Sequence, residues 1–572
     1  MKRILKYLKP LAGRITFGLS VKVLGTLAEL LLPLILTHIL EDVIVLEKVG
    51  MIVFYGVMMV ICAAVACICN IVANRSAAKV TMIFSRSMRK DLFERTLYLS
   101  ARDADRFTIP SLESRITTDT YNVQNFIGMM QRMGVRAPIL LLGGVTITLI
   151  MDPYLSLVMI ATLPLIFMTT FLISRKGVPL YTNVQRSVDG MVRVVREDVQ
   201  GIRVIKALSK NDYENRRYDK VNAGLSRSER KAGVIMGSVN PIMTLLMNLG
   251  ITGVVALAAY RVSVGASDAP TIIAFMQYFT LISMSVMSLS RMFVSYTKCA
   301  ASANRISEVL ETPDDYFVTE KSEKSDTGAH VCFENVSFSY LGKKNNLENV
   351  SFSLKKGESL GIIGATGSGK STLIKLLMRF YEANSGKITI SGNSVTAYTR
   401  EELTEMFGVA LQNDFLYAET VVENIRFGRD IPMQDVIRAA KIAQAHDFID
   451  TFPEKYDHML TPKGTNLSGG QRQRLLIARA VAARPDILIL DDSSSALDYK
   501  TDANLRAALA TELGDTTLIT VAQRVSSVKN CTHIIVLDDG RVIGQGTHEH
   551  LLENCREYRE ISDSQMGGAF VE

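Results

Sequence analysis

Residues 359–380 read SLGIIGATGSGKSTLIKLLMRF. A short apolar run leads into Gly364, Ala365, Thr366, Gly367, Ser368, Gly369, Lys370 and Ser371, and a helical pattern opens at once with Thr372 in its first turn. This is a phosphate-binding loop in the strand–loop–helix context that it requires. Glycines let backbone N–H groups converge on phosphate oxygens, and the start of the following helix adds a partial positive charge. Lys370 is placed to reach the β- and γ-phosphates of a nucleotide, and Ser371 to ligand Mg²⁺.

Two further stretches downstream carry chemistry. LILDD, residues 488–492, is an apolar strand ending in acids. An acid at a strand's carboxyl end beside a phosphate loop can hold Mg²⁺, and Asp491 takes that place. LSGGQRQR, residues 467–474, precedes the helical run LLIARAVAARP. Ser468, Gly469, Gly470 and Gln471 would form an anion-binding helix start. Around these motifs, short β-rich runs alternate with helical ones (VCFENVSFSY, SLGIIG, ILILDD, TTLITVA, THIIVLDDGRVIGQG), which predicts an α/β domain on a mostly parallel sheet.

The upstream half is different. The chain has 572 residues, 48% of them hydrophobic, with mean hydropathy +0.18. Its long apolar runs all lie before about residue 300. A spanning helix needs about 20 mostly apolar residues. Met51–Ala73, Tyr154–Ser174, Ala232–Tyr260 and Ala269–Ser290 meet this without a charged residue. Ile15–Ile39 contains Lys22 and Glu29, and Phe126–Met151 contains Arg132 and Arg136. Six membrane helices are therefore expected, near 15–39, 51–73, 126–151, 154–174, 232–260 and 269–290. Pro33, Pro138, Pro164 and Pro241 fall inside them, which membrane helices tolerate. The basic start MKRILKYLKP is read as the flank of the first membrane helix rather than a cleaved leader, because the apolar run is too long and has no small-residue cleavage site.

Loop charge gives orientation. Segments 75–125 and 175–231 hold twenty-three Lys and Arg, whereas the three other connections hold only Lys48 and Arg261. Both long segments, the two termini and the α/β domain are thus expected in the cytoplasm of a multi-pass protein of the cell membrane. The net charge of +7 reads as this loop charge and not as a nucleic-acid surface. Seven cysteines form no spaced metal motif, and Cys62, Cys67 and Cys69 lie in an apolar run as packing residues. Thr312 to Ala329 is polar and reads as a linker. The expected organisation is an all-α six-helix transmembrane domain over 1–311, a linker over 312–329 and an α/β P-loop nucleotide-binding domain over 330–572.

Taken together, these motifs resemble those of the ATP-binding cassette exporter family, as a half-transporter, over essentially the full length. The resemblance implies ATP and Mg²⁺ as cofactors and pairing with a second half-transporter. Each phosphate loop would then face the other chain's signature, so Ser468 to Gln471 would serve the partner's site. It further implies that Tyr340 stacks on adenine, that Gln412 in VALQNDFLY senses Mg²⁺, and that Asp498 in SSSALD reaches across the dimer. Short coupling helices near Ala101–Phe107 and Ser209–Arg217 would touch the cassettes. Membrane lipid and an unknown transported substrate are the remaining partners; nucleic acid is not one.

The family pattern is broken at three places. Glu normally follows the Mg²⁺ aspartate as the base acting on water; here that residue is Asp492. His normally stands before Arg in the switch; here VAQRVSS puts Gln523 there, a side chain that carries no proton and no positive charge. Pro462 replaces an acidic residue ahead of the signature. With two γ-phosphate residues degenerate and the signature intact, the expectation is an asymmetric heterodimer. This chain would hold a slow or inactive ATP site and complete a competent one on a different subunit. The alternatives are a homodimer with two slow sites, an importer of metal chelates on the same fold, and an ATP-gated channel. Six spans exclude a soluble cassette ATPase. Glu29, charged and mid-bilayer, is expected either to pair with a neighbouring Arg or Lys or to line the cavity and favour cationic or amphipathic substrates.

Overall fold

The computed structural model describes residues 2–44, 47–265, 268–313, 316–319, 328–340, 342–412, 414–493 and 495–566. They divide into two compact units: 1–98 with 107–312, and 99–106 with 313–572.

The first unit is helical. Six helices in the described residues are long and apolar enough to cross a membrane: Arg3–Val43, Val49–Leu97, Ile109–Met151, Pro153–Gln200, Asn211–Ser263 and Pro270–Glu311. Only a helix satisfies every backbone group within one segment in hydrocarbon, so the apolar runs take this form. At 1.5 Å per residue the 49-residue second helix is about 74 Å long, against a hydrocarbon core of about 30 Å. The helices thus extend well beyond the apolar runs that nucleate them. The third is interrupted: one segment ends at Met133 and another runs Arg136–Met151. Pro138 is the reason, because it has no N–H to offer the Gly134 carbonyl one turn back.

Tyr278, Phe279 and Ile282 of the sixth helix pack with Leu30, Leu140 and Met159 of the first, third and fourth. The Tyr278 hydroxyl donates to the Leu30 carbonyl at 2.6 Å. Three of the four charges in the apolar runs, Lys22, Glu29 and Arg136, are bridged between helices. Glu29 accepts two hydrogen bonds from Arg136, at 2.6 and 3.2 Å. Of the two readings open for Glu29, the structure thus takes the paired one. Buried Lys22 donates to Asn70 at 2.7 Å and Asn74 at 3.2 Å. All seven cysteines are free thiols.

Between the fourth and fifth spans, a short helix runs Ile202–Ala207. The stretch Ser209–Arg217, expected to hold a short coupling helix, is not a separate helix. Gly201 stops the long helix before it, and Asp212 and Glu214 in the first turn favour a new helix start at Asn211. Residues 211–217 thus open the fifth span.

The second unit holds two sheets. β1 (Val331–Phe338), β2 (Leu347–Leu354), β4 (Ser385–Ile390) and β5 (Asn393–Ser394) form an antiparallel sheet in the order β2-β1-β4-β5. The other sheet has the order β10-β9-β3-β8-β7-β6, comprising β3 (Ser359–Gly364), β6 (Phe407–Ala410), β7 (Ile487–Asp491), β8 (Thr517–Val521), β9 (His533–Asp538) and β10 (Arg541–Gly546). All its pairings are parallel except β9 with β10. Every residue of β7 is buried, as its unbroken apolar run requires.

Part of the stretch expected to be a free linker is an arm of this unit. The Thr319 N–H donates to the Thr396 carbonyl at 2.9 Å. The Tyr316 ring lies 4.0 Å from the Arg379 guanidinium and 5.0 Å from that of Arg400. One aromatic ring between two arginines outweighs the polar composition around it. Residues 314–315 and 320–327 of that stretch lie outside the described residues.

Candidate nucleotide site

The loop 364–371 leaves the carboxyl end of β3 and enters the helix Lys370–Leu377. Gly364 and Gly369 have φ of +157° and +105°. A Cβ on Gly369 would lie 2.8 Å from Leu347 and 2.9 Å from the Asn346 carbonyl, so both backbone angle and space demand glycine there. A Cβ on Gly367 would meet nothing within 4 Å, which leaves the mouth of the loop open. Inside it, the Ser368 hydroxyl is buried without a hydrogen-bond partner among the described residues. Lys370 folds back to donate to the Gly364 and Ala365 carbonyls, each at 2.8 Å. An orphaned hydroxyl, an open cradle and a lysine resting on carbonyls are what an incoming phosphate would satisfy, so the loop fits a nucleotide.

Four strand ends meet here. Ser371 hydrogen-bonds to Asp491, the last residue of β7. Gln412 follows β6, and Gln523 follows β8. In a parallel sheet the carboxyl ends of neighbouring strands bound one crevice, and ligands bind there. Among the described residues no three His, Cys, Asp or Glu side chains could hold a metal ion by themselves. A divalent ion at Ser371 and Asp491 would take most of its ligands from phosphate and water, as Mg²⁺ does beside nucleotides. The residues therefore fit Mg²⁺ delivered with a nucleotide.

Asp492 is the centre of a small polar cluster. Its Oδ2 accepts from Gln412 Nε2 at 3.0 Å and from Gln523 Nε2 at 3.2 Å. Its N–H donates to the Val521 carbonyl at 2.9 Å. Its φ is +48°, a left-handed conformation that Asp tolerates better than most residues. Burial pushes the Asp492 carboxyl above its usual range, opposed by the Gln412 hydrogen bond and by Lys370 and Arg524. Burial likewise raises Asp491, opposed by Ser371 and reinforced by the Asp492 charge. Lys370 is lowered by burial, against the pull of the two aspartates.

Tyr340 sits beyond β1, its ring edge-on to Phe338 and Tyr381 with centroids 4.8 and 5.0 Å apart. Lys375 Nζ is 5.7 Å from the Tyr340 ring, and the Tyr340 hydroxyl is 3.4 Å from Thr372. One ring face is thus beside the helix that carries the phosphate loop. Tyr381 also hydrogen-bonds Asp105, in the helix Ala101–Phe107. A cavity of about 910 Å³ lies here, bounded by Ala101, Arg102, Tyr316, Tyr340, Tyr381 and Arg400 among others. Nothing in the sequence flagged Tyr381; an aromatic next to the loop helix and an acid in the first coupling segment were the available signals.

The signature residues are not drawn into this crevice. Ser468 caps the helix Gly469–Ala482 by accepting from the Gln471 N–H at 3.2 Å, and Gln471 Oε1 accepts from the Ser468 N–H at 2.9 Å. Such a capping box contributes about 1 kcal/mol. Asp498 caps Tyr499–Glu512 through Thr501. Among the described residues, the hydrogen bonds of Ser468 and Asp498 are confined to their own helix starts. Gln473, one turn into the signature helix, donates to the Asp492 carbonyl at 3.4 Å and accepts from the Ala496 N–H at 3.1 Å. Pro462 opens a short 3₁₀ turn, Pro462–Gly464.

Comparison with known proteins completes the description. Residues 15–286 match the family profile described as ABC transporter transmembrane region, and residues 347–495 match that described as ABC transporter. A Bacillus subtilis (strain 168) protein, Uncharacterized ABC transporter ATP-binding protein YfiB, is 34% identical over 570 residues, 99% of each chain. Uncharacterized ABC transporter ATP-binding protein Rv1273c of Mycobacterium tuberculosis is 31% identical over 573 residues, covering 99% of this chain and 98% of the relative. Among solved structures, a bacterial Atm1-family ABC exporter with ATP bound superposes with a TM-score of 0.82 at 23% identity, over 98% of this chain and 99% of that one.

Proposed function

Because this chain belongs to the ABC transporter family, with membrane domain and cassette in one polypeptide, we propose that it is one half of an ATP-driven exporter whose own nucleotide site hydrolyses slowly. ABC transporters work as dimers. Here the partner is a different half-transporter, carrying Glu and His where this chain has Asp492 and Gln523. The membrane domain is multi-pass, with both termini and the cassette on the cytoplasmic side, as the loop charges favour.

One observation carries the reading: the Asp492 carboxylate is shared between two glutamine amides. Hydrolysis of a γ-phosphate needs a carboxylate within hydrogen-bond reach of the attacking water, and positioned general-base catalysis is worth about 10²–10⁴-fold. Asp is shorter than Glu by one methylene, about 1.5 Å. The two amide donors engage the Oδ2 that would otherwise take the water's proton. Gln523 contributes a neutral hydrogen bond where a histidine could carry charge. Phosphate binding needs none of this, and the loop 364–371, Lys370, Ser371 and Asp491 are all in place. The site is therefore read as one that holds ATP and Mg²⁺ and turns over slowly. Ser468, Gly469, Gly470 and Asp498 serve the partner's nucleotide across the dimer, consistent with their lack of hydrogen bonds to this chain's own crevice.

The test is recovery of the transporter from its native membrane and sequencing of whatever half-transporter accompanies it. A second chain with Glu and His at the matching positions is expected. A dimer of two copies of this chain would overturn the heterodimer.

A further inference from the structure

We infer that the first and third spanning helices build a binding site for an anionic headgroup at the cytoplasmic edge of the membrane domain's apolar part. The site's use for a transported substrate rests on the transporter reading above.

The observation is an excess of positive charge. Lys22 is 3% exposed, and its ammonium donates to Asn70 and Asn74, which are neutral and cancel none of its charge. The charged groups that face it are Arg136, Glu29 and Arg132. Glu29 and Arg136 neutralise each other in a two-bond ion pair. Arg132 has neither a hydrogen-bond nor an ion-pair partner among the described residues. Its Nη2 lies 3.6 Å from the place a Cβ on Gly128 would occupy, so the side chain folds back along its own helix and remains exposed. Three cations thus face one anion.

Depth makes this excess significant. Glu29 and Arg136 stand 14 and 15 residues from the Val43 and Met151 ends of their helices, about 21 Å along the axis. Lys22 and Arg132 lie about 30 Å from those ends. That distance is about one hydrocarbon thickness, so Lys22 and Arg132 stand at the headgroup level of the cytoplasmic leaflet, and Lys22 is there buried away from water without an anion. The helix segment Arg136–Met151 begins between the two arginines, and its N-terminal partial charge has the same sign. The described residues supply no second counter-charge, so a bound anion would lower the cost of Lys22 and Arg132 together. The surrounding helices are apolar, which selects an anionic head on an apolar tail. The cavity-lining cation preference that Glu29 alone suggested is thereby reversed.

The test uses the transporter as it assembles in its native membrane, reconstituted in phosphatidylcholine vesicles. The probes are fluorescent phosphatidylglycerol and its phosphatidylcholine counterpart with the same tail. Binding is read from probe fluorescence, and movement across the bilayer from loss of accessibility to a membrane-impermeant quencher, with and without ATP. Phosphatidylglycerol is expected to bind at least about tenfold more tightly than phosphatidylcholine, and Arg132→Gln to erase most of that preference while Arg132→Lys retains it. ATP-dependent movement identifies the ligand as substrate, and binding without movement identifies it as a resident lipid; both sustain the site. Equal binding of the two probes, or Arg132→Gln matching the unsubstituted protein, overturns it. Absence of ATP hydrolysis by the reconstituted complex, with binding intact, counts against the transporter reading and leaves the anion site standing.

Discussion

Gln523 donates its side-chain amide to the Asp492 carboxylate at 3.2 Å, so the two γ-phosphate residues that depart from the family pattern touch each other. Asp492 reaches Gln523 from the end of β7, and Gln523 from the end of β8, the next strand in the sheet. The two substitutions are complementary: a shorter acid meets an amide that can only hydrogen-bond. Repair of one without the other should therefore gain little.

Restoring both should gain much. Asp492→Glu with Gln523→His is expected to raise the turnover of this site by about 10²-fold, and either change alone by less than about tenfold. Single-turnover hydrolysis, with the partner's base removed, isolates the site. A full gain from Asp492→Glu alone would make Gln523 irrelevant.

The pH dependence of Mg²⁺ follows from Asp491. Burial raises its carboxyl, so it takes up a proton at a higher pH than an exposed aspartate, whereas a metal ligand must be ionised. The sign is that Mg²⁺-dependent ATP affinity falls as pH falls, starting above the usual carboxylate range. The ionised buried acid also costs the nucleotide-free fold stability as pH rises through this raised range, so stabilisation by Mg²⁺-ATP should grow with pH across the interval just above the ordinary aspartate range. Melting shifts across that interval, with Asp491→Asn as the flat control, measure it. A pH-independent shift would contradict it.

Tyr381 joins the aromatic group at Tyr340 to Asp105 in the helix Ala101–Phe107. Removing the hydroxyl with Tyr381→Phe keeps the ring contact and deletes the bond. The expected result is ATP affinity within about twofold and transport per ATP hydrolysed lowered several-fold, with Asp105→Asn milder because an amide oxygen still accepts. Nucleotide binding and coupled transport on the same preparation decide it. Unchanged coupling in Tyr381→Phe would make the contact purely structural.

The Glu29–Arg136 pair lies inside the membrane domain with each side chain partly covered, 22% and 37% exposed. Glu29→Gln leaves a cation without its partner, a cost of about 1–3 kcal/mol at that coverage. Melting temperature and assembly yield should fall, and Glu29→Gln with Arg136→Gln should recover most of the loss. A stable single variant would show that Glu29 is not held as a structural partner.

Most of the nucleotide crevice was legible because its residues sit in contiguous motifs whose local geometry is fixed by glycine and by strand–helix alternation. Lys370, Ser371 and Asp491 meet because β3 and β7, parallel strands with β8 between them, end on one line. The six membrane helices were legible because apolar length alone specifies them. What escaped depended on contacts between distant residues. Tyr316 lies on Arg379 and Arg400 within a stretch whose composition reads as linker. The short helix at Ile202–Ala207 is set by the stop at Gly201, and the expected coupling position lay several residues further on. Pairing was one of the two readings of Glu29, but the sequence could not name Arg136 as the partner, because it is 107 positions away.

The central claim is that the two nucleotide sites of the assembled transporter differ, and steady-state ATPase of three matched variants tests it most directly. In this chain, Asp492→Asn removes the short base from the slow site, and Gly469→Asp sets a carboxylate at the signature helix start. Gly469 is the better position than Gly470, because a Cβ there lies 3.5 Å from Ala496 Cβ, whereas one on Gly470 would crowd the Ala496 carbonyl at 3.1 Å. The third variant changes the partner's Glu to Gln. At saturating ATP, with assembly verified, Gly469→Asp and the partner variant should each lower turnover by about 10²-fold or more, and Asp492→Asn by less than about threefold. If Asp492→Asn silences the complex as fully as the other two, the sites are equivalent and the asymmetry is wrong.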